Sequence, residues 1–203
     1  MNDKKINKIK TVNFIGFLLF IWGIAAIIDN ILKANTGIAP VLWMSYICLI
    51  ILGIGILRKN SALIASQIVI IFIPYIFWNL DFFYQLITKQ SLFGITDYFF
   101  RPGALSGKII ALQHIFNLPL SIYAMSLIGL NKSKFYIISF IQVTSVFIIS
   151  RLVTNYDQNV NCVYRNCANF SFGLPHIVEW FVAQTLMILL TSWLLVKIFK
   201  KRK

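Results

Sequence analysis

Runs of apolar residues recur along this sequence, separated by shorter polar segments. Most runs hold about twenty residues, and about twenty helical residues at 1.5 Å each cross the hydrocarbon core of a membrane. The pattern therefore predicts an all-α polytopic membrane protein with six transmembrane helices, forming one integral membrane domain over residues 1–203. The predicted helices cover residues 11–32, 38–57, 61–86, 108–130, 135–153 and 177–198.

The composition also favours a membrane location. Hydrophobic residues make up 59% of the 203 residues and charged residues only 12%, with a mean hydropathy of +0.78. A water-soluble core of this size cannot bury so much apolar surface. The first run follows a basic stretch, as a signal peptide does, but it is too long and lacks a small-x-small cleavage site. We therefore expect it to be retained as an anchor.

The basic residues predict how the six helices are oriented. Thirteen of the 19 lysines and arginines lie at the two termini and in the loops after the second and fourth runs. Short loops rich in Lys and Arg stay in the cytoplasm, so both termini are predicted to be cytoplasmic in the cell (inner) membrane. The net charge of +13 suits the anionic headgroups of the cytoplasmic leaflet. No nucleic-acid-binding motif accompanies it, so nucleic acid is not expected as a partner.

Two predicted outer loops, residues 88–107 and 155–176, are longer than simple connections. The first is aromatic, which is typical of an interfacial or re-entrant segment. The second is polar and contains Cys162 and Cys167, on the side where an oxidising compartment would allow a disulfide. Closing so small a loop contributes about 2 kcal/mol. A structural disulfide is favoured over redox chemistry because the CxxC spacing of thiol oxidoreductases is absent.

Asp81 lies in an otherwise apolar and aromatic run, about five residues before the outer end of the third helix. His114 lies about six residues inside the outer end of the fourth, so both are roughly 8–10 Å below the boundary. An intramembrane carboxylate usually has a partner or a function. The sequence predicts Asp81 and His114 as a catalytic, proton-handling pair, for hydrolysis or for proton-coupled transport. Alternatively, Asp81 bonds to His114 or Arg151 and only sets the helix register.

His176 and Glu179 open the sixth helix on one face, at positions i and i+3. Imidazole and carboxylate groups are ligands of zinc and iron, and a bound divalent metal ion would supply a hydrolytic water. The candidate metal ligands are Asp81, His114, His176 and Glu179. No HExxH or paired ExxH motif singles out a metal. In the alternative interpretation, His176 and Glu179 are simply solvated at a helix start.

Three features resemble a pattern found in uncharacterised bacterial multi-pass membrane proteins: WNLDF at residues 78–82, His114 followed by Pro119, and NVNCVY at residues 159–164. In those proteins the last motif is similar to N-x-N-W-V-Y, from which Cys162 departs. The resemblance covers about the middle half of the chain. It implies an integral membrane protein and brings no activity or catalytic role.

The candidate polar groups gather in the predicted outer half, where five of the six acidic residues also fall. This pattern favours a membrane-embedded hydrolase or transferase that acts on a lipid-like substrate at the outer leaflet. A small transporter or channel, with a small-molecule ligand and a homo-oligomeric state, is the alternative. Few polar groups occupy the cytoplasmic half, which argues against a transport path. A non-catalytic membrane scaffold is the third hypothesis.

Overall fold

The computed structural model describes residues 3–33, 39–131, 134–168, 171 and 173–199. It is 80% helix, with no strand in the described part of the chain. The predicted all-α fold is therefore confirmed. Of the basic residues that predicted the orientation, Lys132 and residues 200–203 lie outside the described ranges. The α-helices are α1 (Asp3–Lys33), α2 (Met44–Leu57), α3 (Ser61–Thr88), α4 (Asp97–Phe100), α5 (Leu105–Ala111), α6 (Gln113–Ile128), α7 (Phe135–Val153) and α8 (His176–Phe199), with 3-10 helices at Ala39–Leu42 and Val160–Cys162.

Five helical segments are long and apolar enough to cross a membrane: Lys5–Lys33 of α1, α3, the rod Leu105–Ile128 formed by α5 and α6, α7 and α8. They correspond to five of the six predicted runs. Large apolar side chains cover their outward faces, and Leu32, Ile87 and Leu152 are 79%, 79% and 77% exposed. Such a surface is suited to contact with lipid chains rather than water.

The second predicted run, residues 38–57, is not one continuous helix. α2 holds 14 residues, which span about 21 Å. It is preceded by the 3-10 helix Ala39–Leu42 and by Trp43, whose φ of −56° and ψ of 123° are extended rather than helical. α2 is nevertheless central, because α1, α3 and α6 all pack against it and Cys48, Leu49 and Leu52 are fully buried.

The ends of α3 have identifiable causes. At its start, the Asn60 side chain accepts hydrogen bonds from the Ala62 and Leu63 N–H groups at 3.1 and 3.2 Å, which caps free donors of the first turn. At its end, Lys89 adopts a left-handed backbone with φ of 61°, and its N–H bonds to the Gln85 carbonyl. This conformation turns the chain away from the helix axis.

The bundle has two different ends. We call one the disulfide end, where α1 and α3 terminate at Lys33 and Thr88 and α8 begins at His176. The opposite basic end carries Arg58, Lys59, Lys134 and Lys197. The core toward the basic end is filled, and its buried polar groups are paired. The amides of Gln67 and Gln142 exchange hydrogen bonds of 2.7 and 2.9 Å there.

Candidate functional site

A cavity of about 890 Å³ lies at the disulfide end, and we call it the disulfide-end cavity. Residues from Ile70 to Trp78 of α3 line it, over about 12 Å of that helix. Met44 and Ser45, at the start of α2, also line it. The interruption of the second run before Met44 leaves this end of the bundle short of a full helix, which explains the space.

Aromatic side chains form much of the wall, together with apolar groups of α3. Pro74 and Ile70 both line the cavity. Because proline has no N–H, the Ile70 carbonyl four residues earlier lacks its helical partner. It adds an acceptor to an otherwise apolar part of the wall. The aromatic lining residues are Trp43, Tyr46, Tyr75, Trp78, Tyr98 and Trp180.

His114 is half-buried and lines the disulfide-end cavity. Its ring stacks on Trp78, with centroids 4.6 Å apart and an interplanar angle of 14°, and contacts Tyr75 at 4.6 Å. Its Nδ1 lies 2.8 Å from the Ala111 carbonyl oxygen. A carbonyl only accepts, so Nδ1 carries the proton. Nε2 is then the unprotonated nitrogen, and no hydrogen-bond partner for it occurs among the described residues.

Asp81 is fully buried and accepts four hydrogen bonds from one loop. Its Oδ1 accepts from the Leu92 and Phe93 N–H groups at 2.9 and 2.7 Å. Its Oδ2 accepts from the N–H and Oγ1 of Thr96 at 2.7 and 2.8 Å. Four donors compensate the charge of a buried carboxylate without a cation. Asp81 therefore fastens the loop between α3 and α4 onto α3.

The predicted direct pair between Asp81 and His114 is not formed. Among the described residues, no hydrogen bond or ion pair joins Asp81 to His114 or to Arg151, whose guanidinium instead lies over the Tyr164 ring at 4.5 Å. The two helices do meet at His114, but through the Trp78 ring and through Asn79, which donates to the His114 carbonyl at 2.8 Å. Matched depth was correct as a reason for α3 and α6 to meet there. The carboxylate is directed to the loop instead.

The predicted metal site is also not formed. Across the described ranges, no group of three or more His, Cys, Asp and Glu side chains lies close enough together to hold a metal ion. The four candidate ligands Asp81, His114, His176 and Glu179 all fall within those ranges. Each makes bonds of its own to protein groups, so a divalent metal is not carried into the proposed function.

His176 and Glu179 both hold the loop before α8. His176 Nε2 lies 2.9 Å from the Cys162 carbonyl oxygen. Glu179 is only 6% exposed, and its Oε2 accepts from Asn166 Nδ2 at 3.2 Å and from Ser171 Oγ at 3.1 Å. The alternative interpretation of Glu179 as a solvated carboxylate is therefore wrong as well.

Cys162 and Cys167 form a disulfide, with Cα atoms 5.5 Å apart. Asn159 braces the same loop, because its Oδ1 accepts from the Tyr164 and Arg165 N–H groups at 3.0 and 3.1 Å. Its Nδ2 donates back to the Arg165 carbonyl at 3.1 Å. The loop at the cavity wall is thus held by a covalent bond and by a side chain that acts like a backbone turn.

Asn161 attaches this loop to the bundle. Its Oδ1 accepts from the Met44 N–H at 2.7 Å, and its Nδ2 donates to the Leu42 carbonyl at 2.8 Å and to Ser150 Oγ at 3.2 Å. The Trp180 indole donates to the Asn161 carbonyl at 3.1 Å. Asn161 has a φ of 55°, in the left-handed region that asparagine tolerates better than most residues.

Several cavity residues were not predicted from the sequence. Asn161 lies in the NVNCVY motif, which gave a resemblance but no role. Lys108 and Arg165 line the cavity as well, yet lysine and arginine near helix ends are usual in membrane proteins and gave no distinguishing signal. Compared with protein-family models, with curated proteins and with solved structures, the chain matches none of them.

Proposed function

We propose that this is an integral membrane protein whose disulfide-end cavity binds one lipid-like molecule. The observation that carries the proposal is the cavity itself. Its volume of about 890 Å³ lies near the top of the roughly 300–1,000 Å³ usual for ligand pockets. Aromatic and apolar walls with a small number of polar groups are typical of such pockets, and here they suit a chain with a polar head.

The proposed topology has six spans, with both termini cytoplasmic and the disulfide end outside. The 3-10 helix Ala39–Leu42 and α2 together extend about 29 Å, close to the roughly 30 Å of a hydrocarbon core. The second run is therefore long enough to complete a sixth crossing. The basic end carries Arg58, Lys59 and Lys134, which favours its placement in the cytoplasm. The cavity then faces the outer leaflet.

A transport path is a weaker proposal than binding. The cavity reaches Ile70 on α3 but includes none of the nine residues of that helix before it. Toward the basic end, Leu52, Ile56, Ile64 and Ile68 are fully buried. A conducting or alternating path would need polar groups or space at that level as well.

Filling the cavity tests the proposal. Gly107 lines it, and a Cβ added at Gly107 meets nothing within 4 Å, so Gly107→Trp should fold. Ser45→Phe enters the same space from α2. We expect lipid extraction and mass spectrometry of the purified protein to find about one tightly held lipid per chain, lost in both variants. Val182→Trp is the matched control, since Val182 is 46% exposed on α8.

The control variant should keep its lipid, because its added ring lies outside the cavity. If Gly107→Trp and Ser45→Phe both fold and both retain the lipid of the unmodified protein, the proposal is wrong. The fold of each variant is checked first by its thermal unfolding midpoint in detergent.

A second proposal is that the protein is a hydrolase or transferase acting on the bound lipid. The observation that favours it is His114, with Nδ1 fixed on the Ala111 carbonyl and Nε2 free to accept a proton. Nε2 would take the proton of an attacking water or alcohol and return it to the leaving group. Asp81 is given no part in this chemistry, because the loop occupies both of its oxygens.

Incubation with vesicles of phosphatidylglycerol and phosphatidylethanolamine tests this second proposal. Mass spectrometry would follow lysolipid, diacylglycerol or acyl-exchanged lipid over time. We expect His114→Gln to abolish product formation while the tightly held lipid remains. Equal product formation by His114→Gln and the unmodified protein, or none by either, contradicts the enzyme proposal and leaves lipid binding standing.

A further inference from the structure

The charges around the disulfide-end cavity are uneven. Three basic residues line it, Lys33, Lys108 and Arg165, and one acidic residue, Asp29. Asp29 already pairs with Lys33, whose Nζ lies 2.6 Å from its Oδ1. The cavity wall is therefore left with two cations, Lys108 and Arg165, that this carboxylate does not neutralise.

Lys108 and Arg165 have no acidic partner in the described part of the chain. Each lies instead over an aromatic face. The Lys108 Nζ is 5.9 Å from the centre of the Phe99 ring, and the Arg165 Cζ is 5.3 Å from that of Tyr156. A ring face orients a cation but accepts none of its N–H groups in a conventional hydrogen bond. Both side chains thus keep their donors for another acceptor.

Arg165 is also held in place. Its N–H donates to Asn159 Oδ1 and its carbonyl accepts from Asn159 Nδ2, both at 3.1 Å. Two residues further on, Cys167 closes the disulfide with Cys162. A donor set on a braced loop loses less conformational entropy when a ligand binds.

Tyr98 adds a neutral donor to the same wall. Its hydroxyl oxygen accepts from the Trp78 indole N–H at 3.0 Å, which leaves the hydroxyl proton available. Two cations and a hydroxyl, next to apolar walls, match a phosphate group attached to an apolar chain. The guanidinium fork of arginine suits phosphate oxygens in particular.

We propose that the ligand is an anionic phospholipid whose phosphate-bearing headgroup is bound by Lys108 and Arg165, an inference that rests on the lipid binding proposed above. The apolar chain lies against the α3 wall. The hydroxyl of Tyr98 donates to a headgroup oxygen.

The test compares lipids and variants by native mass spectrometry of the full chain in a neutral detergent. We expect phosphatidylglycerol to bind at least tenfold more tightly than phosphatidylcholine, whose headgroup has no net charge. Lys108→Gln with Arg165→Gln should weaken phosphatidylglycerol roughly 10- to 30-fold, from about a factor of five per cation. The same double variant should change phosphatidylcholine binding less than twofold. Lys108→Arg with Arg165→Lys, which preserves both charges, should keep most of the preference.

Two further arms separate the alternatives. Arg58→Gln with Lys59→Gln removes two exposed charges at the basic end and should leave the preference unchanged. Free glycerol phosphate at millimolar concentration should not displace the lipid. Full displacement by glycerol phosphate would show that the soluble anion is the ligand and would overturn the phospholipid assignment.

The two proposals fail in different ways. Equal binding of both lipids, with each lost in Gly107→Trp, overturns the headgroup inference and leaves the cavity proposal intact. Binding of both lipids that is unaffected by Gly107→Trp and by Ser45→Phe overturns the cavity proposal itself, and the headgroup inference with it.

Discussion

A single buried charge, Asp81, shows how residue type and residue role can separate. Its position in an apolar helix predicted a reactive group, because isolated carboxylates are unfavourable there. The structure satisfies the charge with backbone donors from a loop eleven to fifteen residues later. The carboxylate stabilises local structure, whereas His114 one helix away retains a free nitrogen at the cavity.

Asp81→Asn should destabilise the protein and loosen this loop. An amide replaces one acceptor oxygen with an NH₂ group, which would face N–H donors and leave at least one of them unpaired. We expect a loss of about 2–4 kcal/mol, seen as a thermal midpoint roughly 5–15 °C lower in detergent. Trypsin cleavage after Lys89, which is exposed, should become faster.

Asp97→Asn is the matched control. The Asp97 carboxylate accepts one bond of 3.2 Å from Gln85 and lies 3.8 Å from the exposed guanidinium of Arg101. An exposed pair of this kind contributes about 1 kcal/mol or less. Equal midpoints and equal cleavage rates for Asp81→Asn and the unmodified protein would contradict the structural role given to Asp81.

At the scale of helices, close packing of α1 against α2 depends on glycine. A Cβ added at Gly53 would lie 2.6 Å from the Phe20 Cβ and 2.7 Å from its Cα and N. Similar crowding occurs at Gly23, where an added Cβ would lie 2.7 Å from Ile50 Cγ1. Small residues that let two backbones approach are a usual basis of helix association in membranes.

Gly53→Ala should therefore separate the two helices. Because backbone atoms of Phe20 stand in the way, a rotamer change cannot relieve the clash, and we expect a loss of about 1–3 kcal/mol or more. Gly107→Ala is the control, since nothing lies within 4 Å of its added Cβ. It should be neutral or stabilising by up to about 1 kcal/mol through helix propensity. Thermal unfolding in detergent measures both, and an unchanged midpoint for Gly53→Ala would contradict this packing.

Hydropathy predicted the five long helices because length and apolar content are local properties of the chain. The break before α2 was not predictable in that way. The Met44 N–H is satisfied by Asn161, 117 residues later in the sequence, so the helix start depends on a tertiary contact. The rise per residue placed Asp81 and His114 at one depth but gave no direction around the helix axis. That direction decides that Trp78, rather than Asp81, contacts His114.

The whole molecule is asymmetric between its two ends. The basic end has a filled core with paired amides, and the disulfide end has the cavity, the disulfide and the loop anchored by Asn161. Five of the six acidic residues also lie toward the disulfide end. With the basic end in the cytoplasm, the disulfide would lie in an oxidising compartment and the cavity at the outer leaflet.

Cysteine labelling in intact cells tests this orientation and the sixth crossing together. In a parent variant with Cys162→Ser and Cys167→Ser, only Cys48 remains, and it is fully buried. Arg58→Cys and Gln90→Cys then place single exposed thiols at the basic and disulfide ends. A membrane-impermeant maleimide should label Gln90→Cys in intact cells and Arg58→Cys only after permeabilisation.

The parent variant should remain unlabelled under both conditions, which controls for Cys48. If the second run failed to cross, residue 58 would stay on the outer side with the end of α1, and α3 would carry residue 90 inward. The two labelling results would then be reversed. Labelling of Arg58→Cys in intact cells, with Gln90→Cys protected, would therefore contradict the six-span topology and place the cavity on the other side of the membrane.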